Sequence, residues 1–476
     1  MSVGSRRPNI VFILADDQGP WALGCAGNSE IRTPNLDRLA ARGMRFENFF
    51  CASPVCSPAR ATLFTGRIPS QHGIHDWLRE GNAGGGATEY LDGQTSYTDL
   101  LAEAGYRCGI CGKWHLGNSA HPQKSFTHWY VHEKGGGPYH GAPMFRDGRL
   151  VEEPGYISDV ITDEAVSFLD SAVKRREPFY LSIHYTAPHS PWIGNHPVEI
   201  VDSYDSCPFE SCPQEPVHPW AEGHLYSDVK PRWRENLKGY FAATTAMDLD
   251  VGRILDRLES LGVRNDTLVV ATSDNGFSCG HHGIWGKGNA TFPLNMFENS
   301  VKVPFIASHP GVVPENRVNR SLVSAYDVFH TILDHAGVQY DSGVDLPGRS
   351  FNDVLTASGG DNAVRRSPDR ESVVVYDEYG PVRMVRTADW KYVHRYPYGP
   401  HELYHLAEDP NERNNLADDM GCAEKRRELR DELAKWFHRY VFPSVDGARE
   451  PVTGLGQLGR AGPAGGGEPA FAQFGG

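Results

Sequence analysis

Five short apolar runs constrain this chain more than any other feature: "NIVFILA" (9–15), "RCGIC" (107–111), "FYLSIHY" (179–185), "TLVVATS" (267–273) and "VPFIAS" (303–308). Each is short and mostly apolar rather than alternating, the pattern of a strand covered on both faces, as in a parallel sheet. Helical patterns lie between them. Thr33-Pro34 opens one and Gly43 closes it, with Leu36, Leu39 and Ala40 on one face. Others cover about 98–105, 158–175, 233–261 and 324–337. Strands alternating with helices predict an α/β fold with a large, mostly parallel central sheet flanked by helices on both faces.

A chain of 476 residues exceeds one small core, and a large domain over 1–357 is expected to be joined by a smaller one. The polar, glycine-bearing stretch at 356–372 reads as a linker. Beyond it, "SVVVYDEYG", "VRMVRTADWKYVHRY" and "HELYHL" carry short β signals, and a charged helical pattern follows at 423–439. These predict an α+β subdomain over 370–450 with an antiparallel sheet. The Gly/Pro-rich tail, 451–476, is expected to be loose.

A net charge of -14 argues against nucleic acid or an anionic membrane as partner. Any anion pocket must therefore bring its own cations. No apolar run is long enough to span a bilayer. The N-terminal "MSVGSRRPNIVFILADDQG" places two arginines before an apolar run. That run ends in two aspartates and is shorter than a secretory core, so it reads as a strand and a cytoplasmic location is expected. Nine cysteines is an odd number for a disulfide scaffold. Cys108 and Cys111 have redox or zinc spacing, and Cys207 and Cys212 in a Pro-rich loop would be the pair to complete a zinc site with them, but the first pair reads as two buried thiols within a strand.

Polar clusters recur where these strands end. Asp16-Asp17 follows the first; Lys113 and His115 follow the second in "GKWHLG"; His189 follows the third in "TAPHSP". Asp274-Asn275-Gly276 follows the fourth, with Lys287 close behind in "HHGIWGKG". Ligands in open α/β sheets bind off the carboxyl ends of the strands, where parallel strands would gather all of these groups. Asp16, Asp17, Asp274 and Asn275 are hard oxygen donors suited to Ca²⁺ or Mg²⁺ rather than zinc. With Lys113, Lys287, Arg60, His115 and His189, they form a site for a tetrahedral oxyanion. Taken singly, Asp-Asp and Asp-Asn-Gly are ordinary turns and a loop histidine needs no function. Recurrence at four strand ends carries the inference.

The run "CSPAR" opens a helical stretch with Cys56, Pro58 in its first turn and Arg60 one turn on. A helix N-terminus and a nearby arginine favour an anionic group at 56, although most free cysteines are simply buried. Cys-Ser-Pro-Ala-Arg resembles the Cys-x-Pro-x-Arg signature of the type I sulfatases of the alkaline-phosphatase superfamily. So do "PNIVFILADDQG", "TPNLDRLAARGMRFENFF", "TGRIPSQHGIHDW", "GKWHLG", "APHSP", "SDNGFSCGHHGIWGKG", "SVKVPFIASHPG" and "LYHLAEDPNERNNLA", in the family's order over roughly residues 8–440. Ala59 departs from the serine that many members carry, a change the signature tolerates.

The resemblance implies a sulfuric ester hydrolase whose Cys56 is oxidised to Cα-formylglycine by a formylglycine-generating enzyme. One hydroxyl of the hydrated aldehyde would attack sulfur and expel the alcohol; the other would then release sulfate and restore the aldehyde. It also implies that Asp16, Asp17, Asp274 and Asn275, with residue 56, hold Ca²⁺. Lys113 and Arg60 would steady the nucleophile, His115 would be the base for elimination, and His189 and Lys287 would bind sulfate and protonate the leaving oxygen. His75, Asp76, Trp77 and Arg79 in "QHGIHDWLRE", with Trp192 and His282, combine aromatic faces and polar groups as sugar sites do. They favour a carbohydrate sulfate, engaged at a chain end. A phosphonate monoester hydrolase or phosphodiesterase of the same superfamily is the alternative, and a noncatalytic metal-binding protein the second.

Overall fold

The computed structural model describes residues 7–79, 87–221, 228–357 and 370–473. Strand Asn9–Asp16 is buried along all eight residues. It lies between two parallel neighbours, Phe179–Pro188 and Thr267–Ser273. Successive side chains point to opposite faces. Ile10, Phe12 and Leu14 enter one core with Phe64, Leu101 and Ile332, whereas Val11, Ile13 and Ala15 enter another with Leu36, Ile161 and Val251. Helices Cys56–Thr65, Tyr97–Glu103 and Val328–His335 cover the first face; Pro34–Ala41, Ile157–Arg175 and Trp233–Ser260 cover the second. A strand packed on both sides has no solvent face to make polar, which is why its sequence does not alternate.

The ten strands run in the order Arg317–Asn319, Met44–Phe46, Phe305–Ser308, Thr267–Ser273, Asn9–Asp16, Phe179–Pro188, Arg107–Gly112, His128–His132, Ala142–Arg146 and Arg149–Glu153. The five from Thr267–Ser273 to His128–His132 are mutually parallel. The run at 303–308, expected to be parallel, is antiparallel to both neighbours. Residues 274–304 remain at the carboxyl edge, where they supply Asn275 and Lys287, so the next strand can only run back. Cys108 and Cys111 enter opposite cores and cannot share an ion; all nine cysteines are free thiols.

The C-terminal sheet is antiparallel, in the order Ser372–Asp377, Val382–Thr387, Trp390–Arg395, Glu402–His405. Helix Ala423–Tyr440 buries Leu429, Leu433, Phe437 and Tyr440 on one face against it. Tyr376 ties this sheet to the body: its amide donates to the Ala52 carbonyl at 3.1 Å and its hydroxyl accepts from the Ser70 amide at 2.8 Å. The expected linker falls largely on residues 358–369, outside the described ones. No helix among the described residues is long and apolar enough to cross a membrane.

The tail departs from expectation. Residues 451–473 are docked, with Gln457, Ala461 and Phe471 buried. Gln457 bridges to Leu78 on one side and Phe471 on the other. A segment too poor in apolar side chains to build a core can still be held through its backbone groups, and composition carries no trace of that.

Candidate active site

Helix Cys56–Thr65 delivers the first group. Val55 is extended, Cys56 is the first helical residue, and every residue to Thr65 is buried. Gly66 ends the helix in the left-handed conformation, φ 67°, with its amide bonded to the Thr62 carbonyl. The Cys56 thiol lies 3.3 Å from Asp16 Oδ1 and accepts from Lys287 Nζ at 2.9 Å. Burial, then the adjacent Asp16 carboxylate, pushes the thiol up to about 12. Arg60, one turn on, is fully buried. It donates from Nε to Asp274 Oδ2 at 3.0 Å and from Nη1 to the Lys113 carbonyl at 3.0 Å. Burial opposes its charge, but Asp274 and Asp16 outweigh that and hold it firmly protonated.

The strand ends supply the rest. Donor atoms of Asp16, Asp17, Cys56 and Asp274 all lie within 4.8 Å of one another, and all four residues are buried. Asp17 reaches this point from a left-handed backbone, φ 63°, an outlier of the kind that accumulates at functional sites. Asn275 Nδ2 donates to Asp17 Oδ1 at 2.7 Å, and Lys287 Nζ donates to the same oxygen at 2.6 Å. Lys113 Nζ pairs with Asp16 Oδ2. Burial works to raise the Asp16 pKa, yet Lys113, His189 and Arg60 bring it well below the usual carboxylate range. Asp17 is lowered too, by Lys287 and His189 against the cost of burial. Ionised carboxylates with an amide beside them are all hard oxygen donors, and they fit a divalent cation of the Ca²⁺ or Mg²⁺ type.

Asp16, Cys56, Lys113 and Lys287 line the floor of a cleft of about 450 Å³, walled by Trp77, Arg79, Lys134 and Asn289, with Asp17, Arg60, Asp274 and Asn275 packed directly against them. His115 lines it with Nε2 at 3.1 Å from the Leu78 carbonyl, while Nδ1 has no hydrogen-bond partner among the described residues. Bonding to a carbonyl makes Nε2 the donor and leaves Nδ1 as an acceptor. Burial, then Lys113 and Arg60, keeps this imidazole neutral. Gly135 lies against it: a Cβ there would sit 2.2 Å from His115 Nε2. His189 stands at the mouth, its side chain 36% exposed and Nε2 3.6 Å from Asp17 Oδ2.

The structure therefore brings together Asp16, Asp17, Cys56, Arg60, Lys113, His115, His189, Asp274, Asn275 and Lys287. Of the residues expected to meet sugar, Trp77 and Arg79 line the cleft. The other four do not. His75 is buried with Nε2 2.9 Å from the Val445 carbonyl, and Asp76 Oδ2 accepts from the Gly456 amide at 3.1 Å. Trp192 packs among Tyr240, Phe277 and Trp285 and donates to the Pro188 carbonyl at 2.8 Å. His282 stacks on Phe297 with ring centroids 4.0 Å apart. Proximity in sequence to a site motif misled here: Trp77 to Arg79 line the cleft in succession, whereas His75 and Asp76 just before them are taken up by Val445 and Gly456. The wall loop Lys134–Gly137 was missed, although "KGGG" signals a close backbone approach. His184 was missed as well; its Nδ1 lies 2.9 Å from the Lys113 carbonyl, and its signal was a polar residue inside an apolar run.

A parallel sheet whose carboxyl edge gathers three carboxylates, two lysines, an arginine and two histidines around one helix N-terminus defines a hydrolase of anionic esters. The family model "Sulfatase" matches residues 8–338, and "N-sulphoglucosamine sulphohydrolase, C-terminal" matches 280–439. The chain belongs to the sulfatase family and is a sulfuric ester hydrolase. It is 28% identical to the N-acetylglucosamine-6-O-sulfatase of Bacteroides thetaiotaomicron, over 92% of this chain and 87% of that protein. It is 33% identical to the N-acetylgalactosamine-6-sulfatase of Canis lupus familiaris, over 70% of this chain and 62% of that protein. A solved structure of a protein in complex with its substrate D-glucosamine-2-N,6-O-disulfate superposes with a TM-score of 0.79 at 25% identity, covering 94% of this chain and 100% of that one. The phosphonate monoester hydrolase of Agrobacterium radiobacter shares the fold, with a TM-score of 0.68 at 21% identity over 91% of this chain and 93% of that one.

Proposed function

We propose that the protein releases sulfate from sulfated carbohydrates, taking one or two sugars at a chain end, with Ca²⁺ held by Asp16, Asp17, Asp274 and Asn275 and Cα-formylglycine at position 56. The observation that carries this reading is the meeting of four donor groups within 4.8 Å at the floor of a cleft of about 450 Å³. That volume is at the small end for ligand pockets and suits a short saccharide better than a long polymer. The Cys56 thiol marks the position of the formylglycine oxygens. When bound, the cation and the aldehyde-derived group supply a polarised oxygen nucleophile beside the ester.

The chain's own residues do the rest. Lys287 Nζ, shared between position 56 and Asp17, orients the reacting group and faces the sulfate oxygens. Arg60 is anchored by Asp274 and the Lys113 carbonyl, and so fixes the helix start against two strand ends. His115 offers a neutral Nδ1 to take a proton, and His189 at the mouth stands where the leaving alcohol departs. Trp77 gives a sugar an apolar face, and Arg79 and Lys134 give an anionic sugar a counter-charge. Cys56, Pro58 and Arg60 are all buried, so a formylglycine-generating enzyme would have to read them before the chain folds.

Two measurements test this. Mass analysis of the peptide holding Cys56 reports conversion. Sulfate release from sulfated mono- and disaccharides is then compared with release from long polymers, and nitrophenyl sulfate with nitrophenyl phenylphosphonate. Fast turnover of short saccharides and of the sulfate ester is expected. Strong preference for polymer, or for the phosphonate, overturns the reading.

A further inference from the structure

The tail from 451 to 473 lies beyond the residues that either family model matches, and no part of it lines the cleft. It nonetheless grips the segment that does. The Gln457 amide donates to the Trp77 carbonyl at 2.8 Å, and the Arg79 amide donates to the Gln457 carbonyl at 3.2 Å. Trp77 Nε1 donates to the Gly454 carbonyl at 3.4 Å, and Arg79 Nη1 to the Leu455 carbonyl at the same distance. Both side chains expected to meet substrate on this wall are thus bonded to the tail from behind.

Gln457 is the centre of that grip. It is fully buried. Its Oε1 accepts from the His75 amide at 2.9 Å, and its Nε2 donates to the Gly73 and Gly459 carbonyls at 2.9 Å each. One carboxamide therefore satisfies three backbone groups, those of Gly73 and His75 buried and that of Gly459 half-buried, and no shorter or apolar side chain can do so. Next to it, Gly456 holds φ 109°, and a Cβ there would lie 2.5 Å from Arg79 Cβ. The close fit of tail to wall depends on that glycine. Leu78, between the two wall residues, is held from the other side: its amide donates to Ser57 Oγ at 3.2 Å, within the helix that carries Cys56. Its carbonyl in turn meets His115. The reaction centre thus has an anchor of its own on this segment, the amide and carbonyl of Leu78, besides the tail's hold on Trp77 and Arg79.

We infer that Gln457 is a positioning residue for substrate specificity: through the 451–473 strap it holds Trp77 and Arg79 as a saccharide-binding wall while leaving the reaction centre to its own supports. This rests on the carbohydrate reading above and adds to it the part of the chain that shapes the sugar subsite. The same geometry separates two kinds of substrate. An aryl sulfate too small to reach the wall should not sense the tail, whereas a sulfated sugar should.

The test uses the full-length, converted enzyme with Gln457→Ala, and Gly456→Ala as a second variant that keeps every hydrogen-bonding group. Steady-state constants are measured for nitrophenyl sulfate and for the sulfated mono- or disaccharide that the parent enzyme turns over fastest. Both variants should raise KM for the saccharide by about tenfold with kcat changed less than about twofold, and leave kcat/KM for nitrophenyl sulfate within about twofold. A parallel loss on both substrates, or no loss on either, overturns the inference and leaves the carbohydrate reading standing. Parent enzyme active on nitrophenyl sulfate but on no saccharide would instead overturn that reading, and this inference with it. Should Gln457→Ala lower the thermal midpoint too far to assay, Gly456→Ala decides the matter alone.

Discussion

Floor and wall of the same cleft are built by different rules. On the floor, Asp16, Asp17, Asp274, Lys113 and Lys287 are buried side chains that hold one another through charge, each at the end of a strand or just beyond it. On the wall, residues 77–79 are fixed chiefly by backbone hydrogen bonds to a segment about 380 positions away in the chain. Charge pairs in a buried site specify which chemistry occurs, and losing one leaves its partner stranded. Backbone pairing specifies only where a surface sits. Damage to the floor should therefore slow every substrate alike, and damage to the wall should discriminate among them.

The sharpest way to break that contrast is Cys56→Ala. Sulfate release from aryl and saccharide esters alike should vanish, while the thermal midpoint moves only a few degrees, about what a small buried deletion costs. Retention of most activity by the purified variant, read by ion chromatography of sulfate, removes position 56 from the chemistry. Next in size is Lys287→Ala. Its ammonium contacts position 56, Asp17 and Asn275, and its loss should lower kcat on the order of 10²–10³-fold for both substrate types. A loss confined to saccharides would transfer Lys287 from floor to wall.

A smaller effect concerns the joint between tail and wall. Burial holds His75 down to about 4, against the favourable Val445 carbonyl and Asp446. The unfolded chain therefore takes up a proton near pH 6.5 that the fold refuses, and stability falls as pH drops from about 6.5 to about 4. Asp76 works the other way. Burial raises it to about 6, against hydrogen bonds from the Trp77, Gly456 and Gly454 amides. The folded state takes up a proton there first, so stability rises as pH falls from about 6 to about 4. The two neighbours offset each other. Asp76→Asn removes the compensating half, so its stability relative to the parent should fall by on the order of 3 kcal/mol between pH 7 and pH 4. Denaturant titrations at both values measure this; an unchanged difference means that Asp76 ionises as freely as it would in water.

The same division governs how much of the molecule was legible in its sequence. Strands packed on both faces announce themselves by unbroken apolarity, and the residues that end them, Asp16-Asp17 and Asp274-Asn275 among others, lie beside them in the chain. The floor could be read because each of its groups is local to an element. The direction of Phe305–Ser308 could not, because periodicity is blind to which way a buried strand runs. The docking of the tail could not either: Gln457 acts through its backbone and one carboxamide on residues far away in sequence, and a Gly/Pro-rich composition hides both. Asp248 was lost for a similar reason, since it accepts from the Asn35 and Leu36 amides at the start of a helix some 210 residues before it.

The smallest effect tests whether the wall ends where the structure ends it. His282 carries the signature of a site residue, being next to His281 in the segment that leads to Lys287. Yet its ring lies flat on Phe297, and its Nδ1 lies 3.5 Å from Arg413 Nη1, which is itself paired with Glu215. Those contacts face the C-terminal sheet rather than the cleft. Burial, then Arg413, keeps the imidazole near 4 and hence neutral at physiological pH, so it offers no charge to an anionic sugar. His282→Ala should therefore change saccharide KM by less than about twofold, while removal of a stacked ring lowers stability by about 1 kcal/mol. If KM instead rose as far as it does with Gln457→Ala, the sugar subsite would extend past Lys287 to the C-terminal sheet, and the wall would have two sides rather than one.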